Sequence, residues 1–181
     1  MVEVPTIGHP ASLLPVMPTL SALTEIAWRA RRKTARGGIS NLICIAEPLD
    51  ALSAEITAVA DRITVILPWG SLLRAVAAPE LVSLRHIADL CLPDADVEIV
   101  LSYDEQRDAR EGTWLPAGGL DKEHIATLRR LYEQAGLPIV AAERFSQGEL
   151  ADYQTTWAKR LAFGRPRKVC LLRARYAGPL K

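Results

Sequence analysis

The sequence is poor in several features that would assign it to a specialised class of protein. Its three cysteines, Cys44, Cys91 and Cys170, lie far apart among apolar residues. That spacing excludes a disulfide framework or a metal site and favours a reducing cytoplasm. No apolar run approaches the ~20 residues of a membrane span, and "ASLLPVMP" near the start is too short and too broken by proline for a signal-peptide core. A net charge of +1 gives no overall attraction to nucleic acid.

Apolar and amphipathic segments alternate along the 181 residues. Buried strands are predicted at Asn41–Ala46, Arg62–Leu67, Asp96–Tyr103, Pro138–Phe145 and Arg167–Tyr176. Helical patterns fall between them, at about Ala51–Ala60, after Trp69, from Pro79 to Leu92, from Asp121 to Gln134 and around Trp157. This alternation predicts a single α/β domain with a largely parallel sheet and helices on both faces.

The ends of the chain differ from its centre. Residues 1–19 contain four prolines and no clear period, which predicts an irregular segment. Residues 20–176 carry the α/β pattern, and residues 177–181 form a short tail. The polar connection from Asp104 to Leu120 is long enough to suggest a function of its own.

Two tryptophans lie where loops are predicted. Trp69 follows a strand in a Pro-Trp-Gly corner, and Trp157 opens a helical segment. Aromatic faces at such places stack on unpaired bases, although core packing or a place at the rim of the core is the favoured interpretation of a single tryptophan. Asp50, just beyond a strand, is either a hydrogen-bond acceptor for a ligand or a helix N-cap. The hydroxyls of Ser71, Thr155 and Thr156 lie near the tryptophans and have the same capping alternative.

Positive charge is concentrated in two segments despite the near-zero total. "RARRKTAR" spans residues 29–36 and "AKRLAFGRPRK" spans residues 158–168. Such runs can contact phosphates, although each run on its own is also typical of a solvated helix face. No metal site, nucleophile–base pair or phosphate-binding glycine loop is found.

Three strings resemble one protein family: "ITVILPWGSLLR", "ARGGISNLICIAEPLDAL" and above all "TTWAKRLAFGRPRK". They are similar to the aminoglycoside-resistance methyltransferases that methylate the N1 atom of the decoding-site adenine, position 1408, of 16S rRNA. The resemblance runs from about Leu20 to Tyr176. It implies a class I methyltransferase-like (Rossmann-like) fold, S-adenosylmethionine as cofactor, the 30S subunit as partner, and no metal or membrane.

The resemblance also implies roles for single residues. Trp69 and Trp157 match the aromatics that enclose the flipped adenine, and the carbonyls of Leu67 and Pro68 would orient its amino group. Ser71 and Thr155 match hydroxyl positions near the cofactor and target base, and Asp50 matches an acidic position for the cofactor's adenine, where the family has the longer glutamate. The rRNA-binding positions are matched by Arg29, Arg32, Lys33, Arg36, Arg160, Arg165 and Arg167.

The chain departs from the family at its start. It has no Gly-x-Gly sequence, and Met17 takes the place of the acid that would hold the cofactor's ribose. We therefore expect the first two family strands to be missing, with residues 1–19 a non-native start and activity impaired by truncation. Two other functions remain open: a non-catalytic RNA-binding remnant of the family, and an α/β domain acting on a small molecule.

Overall fold

The computed structural model describes residues 2–3, 12–15, 24, 28, 32–36, 42–45, 47–53, 55–103, 120–153 and 156–178. The strands in this part of the chain are β1 (Val2–Glu3), β2 (Ser12–Pro15), β3 (Leu42–Ile45), β4 (Ala60–Ile66), β5 (Cys91–Tyr103), β6 (Ile139–Phe145) and β7 (Lys168–Arg175). The α-helices are α1 (Gly70–Ala77), α2 (Leu81–Asp89), α3 (Lys122–Gln134) and α4 (Thr156–Ala162). Short 3-10 helices cover Thr34–Arg36, Leu49–Ala51 and Gln147–Asp152.

Five strands form one sheet in the order β1-β4-β5-β7-β6, and β2 pairs in parallel with β3 in a separate small sheet. β4 and β5 run parallel, whereas β7 is antiparallel to both β5 and β6. β4, β5 and β6 therefore end at the same edge of the sheet. The predicted α/β class is confirmed, but the pairing is mixed rather than largely parallel because β7 enters in reverse between β5 and β6.

Alternating side chains of the sheet pack into two cores on opposite faces. Ile99 of β5 belongs to a large core that includes buried residues of α1, α2 and α3. Val100, the next residue, belongs to a smaller core with Leu150 and with Ala158 of α4. Because successive strand residues point to opposite faces, helices cover both sides of the sheet, as predicted.

Residues 1–19 contain two short strands, which corrects the prediction of an irregular segment. β1 pairs antiparallel with β4, with Val2 opposite Val65 and Glu3 opposite Thr64. β2, which ends in Pro15, pairs with β3. Proline is tolerated on an edge strand, so a proline-rich composition did not exclude this pairing. β1 therefore covers one edge of β4 in the described sheet.

The predicted helix over Ala51–Ala60 is wrong for the described residues of that segment. Only the 3-10 turn Leu49–Ala51 forms, and further turns lead into β4. The Ser53 hydroxyl accepts a hydrogen bond from the Glu55 N–H (3.3 Å), and such local bonds compete with a helix. Ala58 has a φ of +49°, which a right-handed helix cannot contain.

Other predicted elements are present with small shifts at their ends. Asp121 caps α3, because its Oδ1 accepts a hydrogen bond from the His124 N–H (2.8 Å). Of the long connection from Asp104 to Leu120, only Leu120 lies among the described residues. Within the described part of the chain, no helix is long and apolar enough to cross a membrane.

Cys91 gives a stability prediction for alkaline pH. Its side chain is buried at the start of β5, and burial together with the nearby Asp89 raises the pKa of the thiol to about 12. The pKa of an unfolded cysteine is ~8.5, so above this pH the unfolded chain releases a proton that the folded chain keeps. The free energy of unfolding should therefore fall as pH rises from about 9 to 12. Urea unfolding at several pH values should show a shallower fall for Cys91→Ala, and equal slopes would contradict the assignment.

Candidate functional site

The corner after β4 presents an indole at the carboxyl edge of the sheet. Trp69 is the extended residue that precedes α1, and it is 53% exposed. Leu67 and Pro68, immediately before it, are buried. Burial of Leu67 and Pro68 anchors the corner, while the indole of Trp69 stays accessible, as the Pro-Trp-Gly sequence predicted.

Left-handed backbone on both sides of Trp69 sets this corner. Leu67 has a φ of +49° and Gly70 a φ of +57°. For a leucine this conformation costs about 1–2 kcal/mol, and it persists only where the surroundings hold it. The Leu67 N–H donates to the Val100 carbonyl (2.8 Å), and its side chain is packed in the smaller core. The strain indicates a corner whose shape is fixed before any ligand arrives.

The smaller core connects this corner to the start of α4. Ile66 and Leu67 belong to the same buried cluster as Ala158, against which Leu161 also packs. Trp157 is the second residue of α4 and directly precedes Ala158. The two segments that carry the predicted aromatics are therefore neighbours through their buried residues. Thr155, predicted beside them, lies outside the described residues.

Helix α1 continues from the corner with a clear division between its faces. Leu73, Val76 and Ala77 are buried against the large core, and Ser71 is exposed in the first turn. Ser71 is two residues from Trp69, so its hydroxyl lies at the same edge of the sheet.

Asp50 lies in a different place from Trp69. It lines a cavity of about 210 Å³ together with Thr57, Asp89 and Leu90. The Leu90 carbonyl accepts hydrogen bonds from the Val59 and Ala60 N–H groups at the start of β4, whereas Trp69 follows the end of that strand. The seven residues of β4 span ~20 Å. The structure therefore does not bring Asp50 into the neighbourhood of the aromatic corner.

Glu47 is a second acidic residue after β3, which the sequence pattern did not single out. It is exposed and comes two residues after the end of β3, with Pro48 between it and the turn that carries Asp50. Ligands of α/β sheets bind beyond the carboxyl ends of strands. The shorter distance from the strand end was the signal in the sequence that favoured Glu47 over Asp50.

The basic residues of the two predicted segments are mostly at the surface. Arg32, Lys33 and Arg36 are exposed beside the 3-10 turn Thr34–Arg36, and Arg29 lies outside the described residues. In the second segment Arg160 and Arg165 are exposed. Arg167 is partly buried and its Nε donates to the Ser102 hydroxyl (2.9 Å), so it also fastens the segment to the sheet.

Trp28 is a second exposed indole. Trp28 is 55% exposed, and the Arg32 guanidinium lies 4.1 Å from the centroid of its ring. A cation held over an aromatic face loses part of its freedom to move. Trp28 therefore orders one of the arginines in the first basic segment.

Comparisons with known proteins indicate one family. A family model described as 16S rRNA (adenine(1408)-N(1))-methyltransferase matches residues 13–176. A protein of that name from Escherichia coli is 29% identical over 152 residues, which cover 83% of this chain and 69% of the relative. One from Streptoalloteichus tenebrarius is 30% identical over 155 residues, covering 81% and 67%.

Solved structures agree with this result. One is the 16S rRNA (adenine(1408)-N(1))-methyltransferase from Catenulisporales acidiphilia, solved as a tryptophan-to-alanine mutant with its cosubstrate SAM. It has a TM-score of 0.75 and is 29% identical, and the match covers 88% of this chain and 72% of that one. The aminoglycoside resistance methyltransferase NpmB1 has a TM-score of 0.70 and 35% identity, covering 87% and 72%.

Proposed function

Because the chain belongs to the family of 16S rRNA (adenine(1408)-N(1))-methyltransferases, whose members depend on S-adenosylmethionine, we propose that it acts on that adenine in the 30S subunit. The half-exposed indole of Trp69, held on a strained and buried corner, carries this proposal. An enzyme that modifies a base in folded RNA must take it out of its stack, and an indole face replaces the stacking that is lost. The modified subunit would resist aminoglycosides.

The residues around the corner have distinct proposed roles. Trp157 would cover the other face of the base, and the carbonyls of Leu67 and Pro68 would accept hydrogen bonds from its amino group. Ser71 and Thr155 would contact the cofactor or target base. Fixing the base in this way turns the reaction into one between oriented partners, which supplies much of the rate enhancement in such a transfer.

S-adenosylmethionine, when bound, supplies an electrophilic methyl group. For its adenosine part we propose Glu47, because the exposed carboxylate after β3 can accept hydrogen bonds from hydroxyl or amino groups. The described residues do not supply a turn for its methionine part. The sequence has no Gly-x-Gly, and β1 runs antiparallel to β4, so the carboxyl end of β1 is at the edge opposite Trp69. We therefore assign no residue to the methionine part.

This partial fit favours a second candidate function, in which the chain binds rRNA without transferring a methyl group. Its exposed basic segments and the Trp69 corner would be retained in that case, and only the cofactor would be absent. Either function places the protein with ribosomes in the cytoplasm. Cofactor binding and subunit binding, measured separately, distinguish the two.

Titration calorimetry with S-adenosylmethionine tests the cofactor assignment. We expect Glu47→Gln to raise the Kd about tenfold or more, because a hydrogen bond to a charged group contributes ~1.5–3 kcal/mol. Asp50→Asn, which removes the same charge from the cavity beside Thr57 and Leu90, should leave the Kd within about twofold. The reverse ranking would return the role to Asp50.

Transfer of tritiated methyl groups to 30S subunits completes the test. Incorporation at the decoding-site adenine, seen as a block to primer extension, would support the methyltransferase function. Subunit binding with no heat of cofactor binding and no incorporation would support the RNA-binding function. Absence of subunit binding would contradict both.

A further inference from the structure

The loop between α4 and β7 projects an apolar ring from a strongly basic surface. Phe163 is 83% exposed, the largest exposure of any large hydrophobic residue in the described part of the chain. The surrounding stretch "KRLAFGRPRK", residues 159–168, holds five basic residues and no acidic one. A single exposed ring among cations suits a nucleic acid, whose bases accept stacking and whose phosphates accept the charges.

One side chain fastens both ends of this loop. The Gln147 Nε2 donates to the Leu161 carbonyl and to the Arg165 carbonyl (2.9 Å). Its Oε1 accepts a hydrogen bond from the Arg167 N–H (2.8 Å). The amide nitrogen and the amide oxygen of Gln147 therefore both form hydrogen bonds with backbone groups, which lie before and after Phe163 in the chain. This is a geometric arrangement that only a primary amide can provide.

Gln147 is itself held in place. It is the first residue of the 3-10 helix Gln147–Asp152, which begins with a capping box. The Ser146 N–H donates to the Glu149 carboxylate (2.5 Å), and Leu150 in the same helix is fully buried in the smaller core. The amide thus extends from a fixed base to an exposed loop.

We propose that Gln147 is a positioning residue that holds residues 161–167 in the shape in which Phe163 stacks on rRNA while Arg165 contacts phosphate. This inference rests on the proposed function and adds to it two residues outside the aromatic corner. The clamp acts through the backbone, so the loop is ordered before it meets RNA and loses less freedom on binding.

Gln147→Glu tests the clamp with little change in shape. The carboxylate cannot donate to the two carbonyls and repels them, so the loop should open although the carboxylate can still accept from the Arg167 N–H. Once the loop opens, the Arg167 amide should exchange hydrogen at least about tenfold faster. We expect binding to 30S subunits to weaken about tenfold. The plot of log Kd against log salt should lose about one unit of slope, since one phosphate contact is lost.

Gln134→Glu is the matched control, because Gln134 is exposed at the end of α3 and the substitution adds the same charge. A loss of general stability would lower the thermal midpoint without reducing the salt slope. If Gln147→Glu and Gln134→Glu bind subunits equally, the clamp has no part in docking. If the wild type itself does not bind subunits, the proposed function and the clamp are both contradicted. Equal binding by the two variants contradicts the clamp alone, so the two failures are distinguishable.

Phe163→Ala tests the ring independently of the clamp. We expect about tenfold weaker subunit binding, an unchanged salt slope and an unchanged thermal midpoint, because the ring is uncharged and makes little contact with the protein. Phe163→Trp should bind at least as well as the wild type. Val140→Ala removes another exposed apolar side chain, 64% exposed on β6, and should have no effect. Equal affinity for Phe163→Ala and Val140→Ala would overturn the stacking role.

Discussion

Replacing Trp69 with alanine should lower methyl transfer to 30S subunits by about 5- to 150-fold, with subunit affinity within about twofold of the wild type. The range corresponds to the ~1–3 kcal/mol that an aromatic residue contributes by stacking on one base. Binding should change little because it depends on many phosphate contacts of the basic segments. Trp69→Phe should retain most of the activity, since a smaller aromatic face remains. Single-turnover transfer and filter binding would measure the two quantities separately.

Trp28→Ala is a suitable control, because the two tryptophans are almost equally exposed, at 55% and 53%. The indole of Trp28 holds Arg32 rather than a corner of the sheet. Its loss should weaken subunit binding modestly and leave the transfer rate at saturating subunits unchanged. If Trp69→Ala behaved in the same way, the indole would be a docking residue and not a support for the target base.

Replacing Gly136 with alanine should lower the free energy of unfolding by about 3 kcal/mol, among the larger effects of a point mutation. Gly136 follows α3 with a φ of +77°, which costs a non-glycine residue about 1–2 kcal/mol. An added Cβ would also lie 2.6 Å from the Gly178 carbonyl oxygen. The backbone would have to move, which would strain the hydrogen bond from the Ala177 N–H to the Gly136 carbonyl (2.9 Å).

Gly178→Ala separates the two causes. Gly178 also has a left-handed φ, +88°, but an added Cβ would meet no atom within 4 Å. Urea unfolding should therefore show a loss of only about 1 kcal/mol, the conformational part alone. Equal losses for Gly136→Ala and Gly178→Ala would mean that the close approach between the two segments is relieved without strain.

The parts of the fold that depend on local sequence could be predicted. The alternation of apolar strands and amphipathic helices gave the α/β class, and Asp121 identified the start of α3. The position of β7 between β5 and β6 is a non-local property that no pattern within one segment reveals. The predicted helix over Ala51–Ala60 failed because Ser53 and the left-handed Ala58 favour turns, which an average over apolar spacing does not detect.

In the candidate site, too, the locally determined parts could be predicted and the long-range placements could not. The Pro-Trp-Gly sequence located the corner, because proline and glycine restrict the backbone locally. Asp50 lines a cavity near the start of β4 and not the aromatic corner, and this long-range placement is not visible in the sequence around Asp50. Gln147 could not be identified at all, since its three partners are backbone groups, which every residue type provides.

The reversed entry of β7 has a consequence for the order in which the chain can fold during its synthesis. β6 is made before β7, yet in the described sheet it pairs with β7 alone, and both cores contain side chains of β7. Until residues 168–175 have left the ribosome, β5 and β6 each have an open edge and both cores are incomplete. Unpaired edges of this kind are sites of aggregation, so assembly of this half of the sheet has to wait for translation of its last strand.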